Sequence, residues 1–427
     1  MAREIILQKL PVGWSYNLLD NIAERCSGHT PSKSFPEYWN GGIKWISLAD
    51  SCRLDKGYVY ETDKEISLEG IKNSSAEVHP AETVVLSRDA GVGKSGVMAT
   101  PMAVSQHFIA WKCDNKEKLH SWYLYNWLQL NKEEFERQAV GSTIKTIGLP
   151  YFKKLRIAVP PFDEQKKIAQ ILSAWDKAIS VTEKLLTNSQ QQKKALMQQL
   201  LTGKKRLLDD NGTRFSEIWG LHTLSKLFQR VTTKNNGKST NVVTISGQHG
   251  LIKQEDFFKK TVASDTLDGY FLLKKGQFAY NKSYSNGYPM GAIKRLNRYP
   301  EGVVTTLYIC FELSTPKESF GDYWEHYFES GLLNNSLSQI AHEGGRAHGL
   351  LNVKPSDFFS LKVPVPGFEE QQKIAAVLSA ADAEISTLEK KLACLKDEKK
   401  ALMQQLLTGK RRVSVPVKVE EKESVSA

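Results

Sequence analysis

The segment Ala90-Gly91-Val92-Gly93-Lys94-Ser95 has the composition of the end of a phosphate-binding loop, where glycine amides cradle phosphates and a lysine meets the terminal one. The full pattern needs a glycine five residues before Gly93, and Arg88 stands there. Without that glycine the loop cannot wrap a nucleotide. Two readings remain: a glycine-rich turn between strands, or a flexible basic loop whose amides, with Arg88 and Lys94, meet a nucleic-acid backbone. A second stretch, Tyr270 to Arg298, interleaves aromatics and bases, among them Tyr280, Lys282, Tyr284 and Arg295. Lysine and arginine can neutralise phosphates and tyrosine can reach sugars or base edges. The same pattern also suits a β-hairpin whose aromatics are core and whose bases are solvated. Two glycine-containing loops, Gly141–Lys145 with Thr143 and Lys145, and Gly344–His348 with Arg346 and His348, sit before equivalent boundary strands in the two halves of the chain. Their matched position suits insertion into a groove.

Other chemistries find little support. Val159-Pro160-Pro161-Phe162 has the outline of the Asp/Asn-Pro-Pro-Tyr/Phe motif of amino-methyltransferases, but that chemistry needs a polar first residue and Val159 offers none. A strand-to-helix junction is the reading we adopt. The five cysteines, Cys26, Cys52, Cys113, Cys310 and Cys394, form no Cys-x-x-Cys pair and have no companion histidine spacing. That argues for reduced thiols in a cytoplasmic protein and against structural zinc, so no metal site is expected. No carboxylate cluster of a nuclease and no helicase motif is evident, so no catalytic residue is assigned.

These loops must be held by something, and the chain says what by repeating itself. Residues 159–207 return as 365–413 at an offset of 206 without a gap, with about 30 of 49 positions identical. Within the second copy, Ile374, Ala381, Leu388, Leu395 and Leu402 recur every seven residues, each followed four residues later by Leu378, Ile385, Leu392, Lys399 and Leu406. The first copy keeps the seam less purely, and both turn polar at the same place, Lys193 and Lys399. Such heptads predict a coiled coil. Prolines 160, 161, 364 and 366 stop what precedes, Asp163-Glu164 and Glu369-Glu370 suit helix starts, and Gly203 and Gly409 suit left-handed caps followed by basic clusters. Roughly 40 residues give a helix of about 60 Å. Two such helices most simply bury their seams against each other, and symmetry favours an antiparallel pair.

The expected architecture is α/β (α+β): two globular domains separated by two long helices in an antiparallel coiled coil, with a pseudo-twofold internal repeat. The boundaries are 1–158, 159–207 (first spacer helix), 208–364, 365–412 (second spacer helix) and an acidic, disordered tail at 413–427. Edges of the two globular regions also correspond: Ile147, Phe152, Leu155 and Ile157 match Val353, Phe358, Leu361 and Val363. Their middles have diverged. At 427 residues the chain exceeds one ordinary core, and its net charge of +11 is spread along it rather than gathered in one arm, which suits a polyanion contacted over much of the surface. No run of about 18 apolar residues is present, and residues 1–9 are not expected to act as a secretory signal.

The two helix starts Pro160–Ala169 and Pro366–Ala375, and the two Lys-Lys-Ala-Leu-Met-Gln-Gln-Leu-Leu-Thr-Gly-Lys ends at Lys193–Lys204 and Lys399–Lys410, resemble those of the specificity subunit of type I DNA restriction-modification systems. The resemblance spans about residues 10–412. It implies a non-catalytic subunit with two target-recognition domains, each reading one half of a split, asymmetric double-stranded DNA target, and a coiled-coil spacer fixing the gap. It also implies two modification (methyltransferase) subunits docked on the repeated helices, with restriction (endonuclease/translocase) subunits joining them. S-adenosylmethionine, ATP and Mg would then be bound by the partners and no cofactor by this chain. For docking, the repeated helices offer Phe162, Gln165, Ile168, Met197, Phe368, Gln371, Ile374 and Met403. A coiled-coil protein–protein scaffold with two side binding domains is the alternative, and it would lack steep salt dependence in DNA binding.

Overall fold

The structure, a computed structural model, describes residues 10–113, 118–258, 266–285, 287–341 and 351–414. In chain order its elements are β1 (Ser15–Leu18), β2 (Glu24–Ser27), β3 (Trp39–Ile46), β4 (Tyr58–Val59), β5 (Lys64–Ile66), α1 (Leu68–Lys72), β6 (Val84–Ser87), β7 (Ser95–Met98), β8 (Ala103–Val104), β9 (Phe108–Lys112), α2 (Ser121–Leu130), α3 (Lys132–Gln138), α4 (Leu149–Lys153), β10 (Arg156–Val159) and α5 (Phe162–Leu200). There follow β11 (Gly220–Thr223), α6 (Leu224–Leu227), β12 (Phe228–Arg230), β13 (Val243–Ser246), β14 (Gly250–Lys253), α7 (Gln254–Phe258), β15 (Phe271–Lys274), β16 (Phe278–Asn281), β17 (Ala292–Arg295), β18 (Glu301–Val304), β19 (Ile309–Leu313), α8 (Gly321–Glu329), α9 (Asn334–Ile340), α10 (Pro355–Ser360), β20 (Lys362–Val365) and α11 (Phe368–Leu407).

Two compact units result. One runs to Glu183 and resumes at Lys390; the other is Lys184–Glu389. These units cut the chain differently from the boundaries expected of the sequence, because each long helix gives one half to each unit. The reason is packing. In the first unit Ile168 and Leu172 of α5 and Met403, Leu406 and Leu407 of α11 are buried in one core with Leu19, Trp111, Tyr123 and Phe152. In the second, Met197 and Leu200 of α5 and Ile374 and Leu378 of α11 share a core with Phe278, Tyr280, Trp324 and Phe358.

The units repeat one plan. The first has the strand order β2-β9-β6-β7-β4, the second β12-β19-β16-β17. Each adds an antiparallel pair at its base, β1 with β10 and β11 with β20, in which Ser15 faces Val159 and Gly220 faces Val365. The boundary residues matched in sequence, Ile147, Phe152, Leu155, Ile157 and their counterparts Val353, Phe358, Leu361 and Val363, are all buried. Their apolar types have held because they pack the base of each unit. Beyond this shared sheet the units diverge: the first adds β5-β3-β8, the second the pairs β13-β14 and β15-β18.

The long helices pair antiparallel, as symmetry suggested. In the first unit Asp176 meets Lys399 at 2.5 Å and Glu183 meets Lys396 at 2.7 Å; in the second Lys193 meets Asp382 at 2.5 Å. Advancing along one helix means retreating along the other. Adding 206 to Asp176 gives Asp382, and to Lys193 gives Lys399, so the pairing is reciprocal, like an interface between identical subunits. This explains the polar break in both heptad seams. Gly203 and Gly409 take φ of +70° and +74°, the left-handed caps their type allows, and Lys205 and Arg411 amides close the last turns on Gln199 and Gln405. Among the described residues no helix is long and apolar enough to cross a membrane.

Candidate nucleic-acid interface

In the first unit, β6 ends at Ser87 and the chain turns through Arg88–Lys94 before β7. Ala90, Gly91 and Gly93 all take positive φ there. A strand, not a helix, follows Lys94, so no helix N-terminus meets a phosphate and the nucleotide-loop reading is excluded. The Lys94 ammonium donates to Ser51 Oγ at 2.9 Å, which ties the loop to its own base rather than extending from it. Arg88 lies 3.6 Å from the Asp89 carboxylate, which also accepts from His107 Nδ1 at 2.8 Å when that nitrogen is protonated.

The Gly141–Lys145 loop comes to the same corner. Val140 and Thr146 exchange both backbone hydrogen bonds, making 141–145 a hairpin tip, and the Ile147 amide donates to the Arg88 carbonyl at 2.9 Å. Gly141 has φ +130°, and a Cβ there would lie 2.2 Å from the Ile144 carbonyl oxygen, so only glycine fits. Thr143, Ile144 and Lys145 are exposed on the tip. The fold thus brings Arg88, Lys94, Thr143 and Lys145 to one corner, with Thr143 and Lys145 exposed.

The second unit repeats the corner. Lys282 follows β16 as Arg88 follows β6, and its carbonyl accepts from the Leu351 amide at 2.8 Å. Burial holds the Lys282 ammonium below its ordinary pKa, with Arg230 adding repulsion. Tyr284 is 63% exposed beside it. Arg346 and His348 lie outside the described residues.

Two residues of this stretch expected at the interface, Tyr280 and Arg295, are taken up inside the unit instead. Tyr280 is fully buried, its phenol donating to the Met290 carbonyl at 2.8 Å and its ring stacked on Phe358. Arg295 pairs with Asp322, and Glu325 lies 3.6 Å away, so its charge is already met. The aromatic and basic interleaving of Tyr270–Arg298 is therefore mostly the β16–β17 hairpin, with core aromatics and internally paired bases; Lys294 is likewise bound by Glu329.

The residues proposed for docking divide similarly. Ile168, Ile374, Met197 and Met403 lie in the two cores. Gln165 and Gln371 are buried by this chain: Gln165 accepts from the His120 amide at 2.9 Å and donates to the Pro160 and Lys118 carbonyls, while Gln371 accepts from the Phe320 amide and donates to Pro366. His120 and Phe320 are the N-cap residues of α2 and α8, so the two glutamines staple α2 to α5 and α8 to α11. These six side chains are spent inside the chain, and a docking role for them is withdrawn. Phe162 and Phe368 stay partly exposed.

The helix ends also carry clasps that sequence spacing does not reveal. Arg206, after α5, forms a two-pronged pair with Glu370 in the first turn of α11, at 2.6 and 2.7 Å. Arg412, after α11, does the same to Glu164 of α5, at 2.7 Å for both prongs. The acidic starts and basic ends were visible as helix-dipole partners; that they bind each other required the antiparallel fold.

The profile of the family described as "Type I restriction modification DNA specificity domain" matches residues 11–188 and again 225–396. The chain belongs to the type I restriction-modification specificity subunits. Among similar specificity subunits, that of the MjaIX enzyme of Methanocaldococcus jannaschii is 28% identical over 184 residues, 43% of this chain and 42% of that protein, so the match spans less than half of this relative. The MjaVIII subunit of the same organism is 24% identical over 396 residues, 84% of this chain and 87% of that one. In fold, the S subunit from M. genitalium aligns over 93% of this chain and 98% of its own, with a TM-score of 0.55 at 15% identity. Each copy of the specificity domain contains one of the corners described above.

Proposed function

We propose that this specificity subunit reads a bipartite, asymmetric double-stranded DNA target, one half-site per domain, and that the paired helices set the spacing between the halves. The observation that carries the reading is the reciprocal duplication. The same sheet order, glutamine staples and arginine clasps occur twice, while equivalent positions on the matched corners differ, Arg88 and Ala90 just after β6 against Lys282 and Tyr284 just after β16. A shared frame with different corner residues suits two different half-sites. Lys145 and Lys282 supply charge for phosphates, and Thr143 and Tyr284 supply hydroxyls for base edges or sugars. Arg346 and His348 belong to the same proposal.

On this reading two modification subunits dock along the repeated helices, where Phe162 and Phe368 offer equivalent partly exposed rings, and restriction subunits join them. S-adenosylmethionine, ATP and Mg are bound by those partners, and the chain works in the cytoplasm, where the host DNA lies. A titration of duplex against the subunit, with the modification subunit present, tests this. Affinity falls steeply as salt rises from 50 to 200 mM, by roughly a thousandfold or more if six or more phosphates are neutralised. A flat salt response contradicts it and favours a protein–protein scaffold.

A further inference from the structure

Cys26, Glu77 and His79 come together in the first unit although 51 and 53 residues separate the latter two from the cysteine. Their ligating atoms all lie within 4.8 Å of one another. Cys26 is on β2 and buried; His79 is fully buried; Glu77 opens to solvent. The backbone of His79 is fixed by a two-way bridge to Met102, at 2.8 and 3.0 Å, which aims its ring inward. Neither ring nitrogen has a hydrogen-bond partner among the described residues. A buried imidazole with both nitrogens unmet is costly, and a ligand to one of them removes much of that cost.

We propose that Cys26 Sγ, one His79 ring nitrogen and the Glu77 carboxylate form a binding site for a divalent transition-metal ion of the zinc class, with a fourth, solvent-facing position at Glu77. The donor set suits such an ion: a thiolate, a neutral imidazole and a carboxylate, at tetrahedral separations of about 3.3–3.8 Å for bonds of about 2.0–2.3 Å. Closing from at most 4.8 Å needs a shift of at most about 1.5 Å shared among the three side chains, of which Glu77 is the exposed one. Charge also balances. Thiolate and carboxylate together offset a divalent ion, while the nearby Lys112 ammonium is already paired with Glu24 at 2.9 Å. Burial lowers the affinity of His79 for a proton, with Lys112 adding to the effect, and this favours the neutral, ligating imidazole. Cys26 is held as a thiol by burial and releases its proton when the ion binds, so affinity rises with pH. The ion would pin β2 to the segment bridged to Met102, stiffening this edge of the first sheet. The sequence offered no sign of it because the ligands share no short motif.

Titration of the full chain with cobalt(II), followed by optical absorption, reads thiolate ligation directly. The expected result is one equivalent bound with a sulfur-to-cobalt charge-transfer band, competed by zinc. Cys26→Ser abolishes the band. Glu77→Gln, an exposed change that leaves the core intact, weakens binding by at least the roughly tenfold that loss of even an outer-shell partner costs. Cys52→Ser and Cys394→Ser, at exposed thiols, leave the band unchanged. A missing band in the unaltered chain, or one that survives Cys26→Ser or disappears with Cys52→Ser, overturns the site. Should Cys26→Ser fail to fold, Glu77→Gln decides alone: unchanged cobalt affinity overturns the proposal.

Discussion

At the scale of single residues, structural and recognition roles separate by burial and by what each polar group already holds. Gln371 satisfies the amide of Phe320 from inside the protein. Gln371→Ala leaves that donor buried and unmet, and should cost about 1–3 kcal/mol in urea-induced unfolding, with Gln165→Ala alike. Tyr280→Phe loses the bond to Met290 and should cost about 1 kcal/mol while leaving duplex affinity unchanged; Lys145→Ala should do the reverse, weakening binding with stability intact. His326 and His120 supply a pH dependence. Burial lowers both below the ordinary value of 6.5; at His326 Lys193 opposes the proton further while Asp382, Asp322 and Glu329 favour it, and at His120 Glu82 favours it while Lys166 opposes it. The unfolded chain therefore binds more protons as pH falls below about 6.5, so stability is full above that value and is lost on acidification. Unfolding midpoints about one unit either side of 6.5 should show this, with a smaller difference in His326→Gln. The exposure of Lys145 was legible in the sequence because a glycine tip exposes whatever it carries. Tyr280 was not: β16 is an interior strand with Phe278, Ala279 and Tyr280 all buried, so alternation of aromatics and bases along it does not separate a wet face from a dry one.

At the scale of elements, the two long helices were the most readable part of the chain. Heptads, prolines and capping glycines announced α5 and α11, and the observed ends, Phe162–Leu200 and Phe368–Leu407, fall just inside the expected segments. Which residues meet across the pair was not readable, because heptads give a face and not a register. The register lies in Asp176–Lys399 and Lys193–Asp382, each lysine half-buried in the seam. Reversing one charge, Lys399→Asp, sets two carboxylates together and should cost about 1 kcal/mol or somewhat less; adding Asp176→Lys should restore most of it. The same cycle at Lys193 and Asp382 should give a similar coupling. A double-mutant cycle with no recovery would contradict the reciprocal register.

At the scale of the whole molecule, duplication is the organising fact, legible at the helices and at the buried residues beside them. What could not be read was the content of the diverged middles: the extra β5-β3-β8 sheet of the first unit, the β13-β14 and β15-β18 pairs of the second, and the assembly of distant residues at a corner. Those depend on long-range strand pairing, which leaves no local period. If the helices set the gap, adding or removing about one turn (about four residues) within 180–192 should change the spacing between half-sites and leave both identities intact. The most direct test of the central claim replaces residues 208–364 with the corresponding domain of another specificity subunit and maps methylated bases in host DNA, with the modification subunit present. One half of the target should change while the other, with its methylated base, stays as it was. A change in both halves, or in neither, would contradict it.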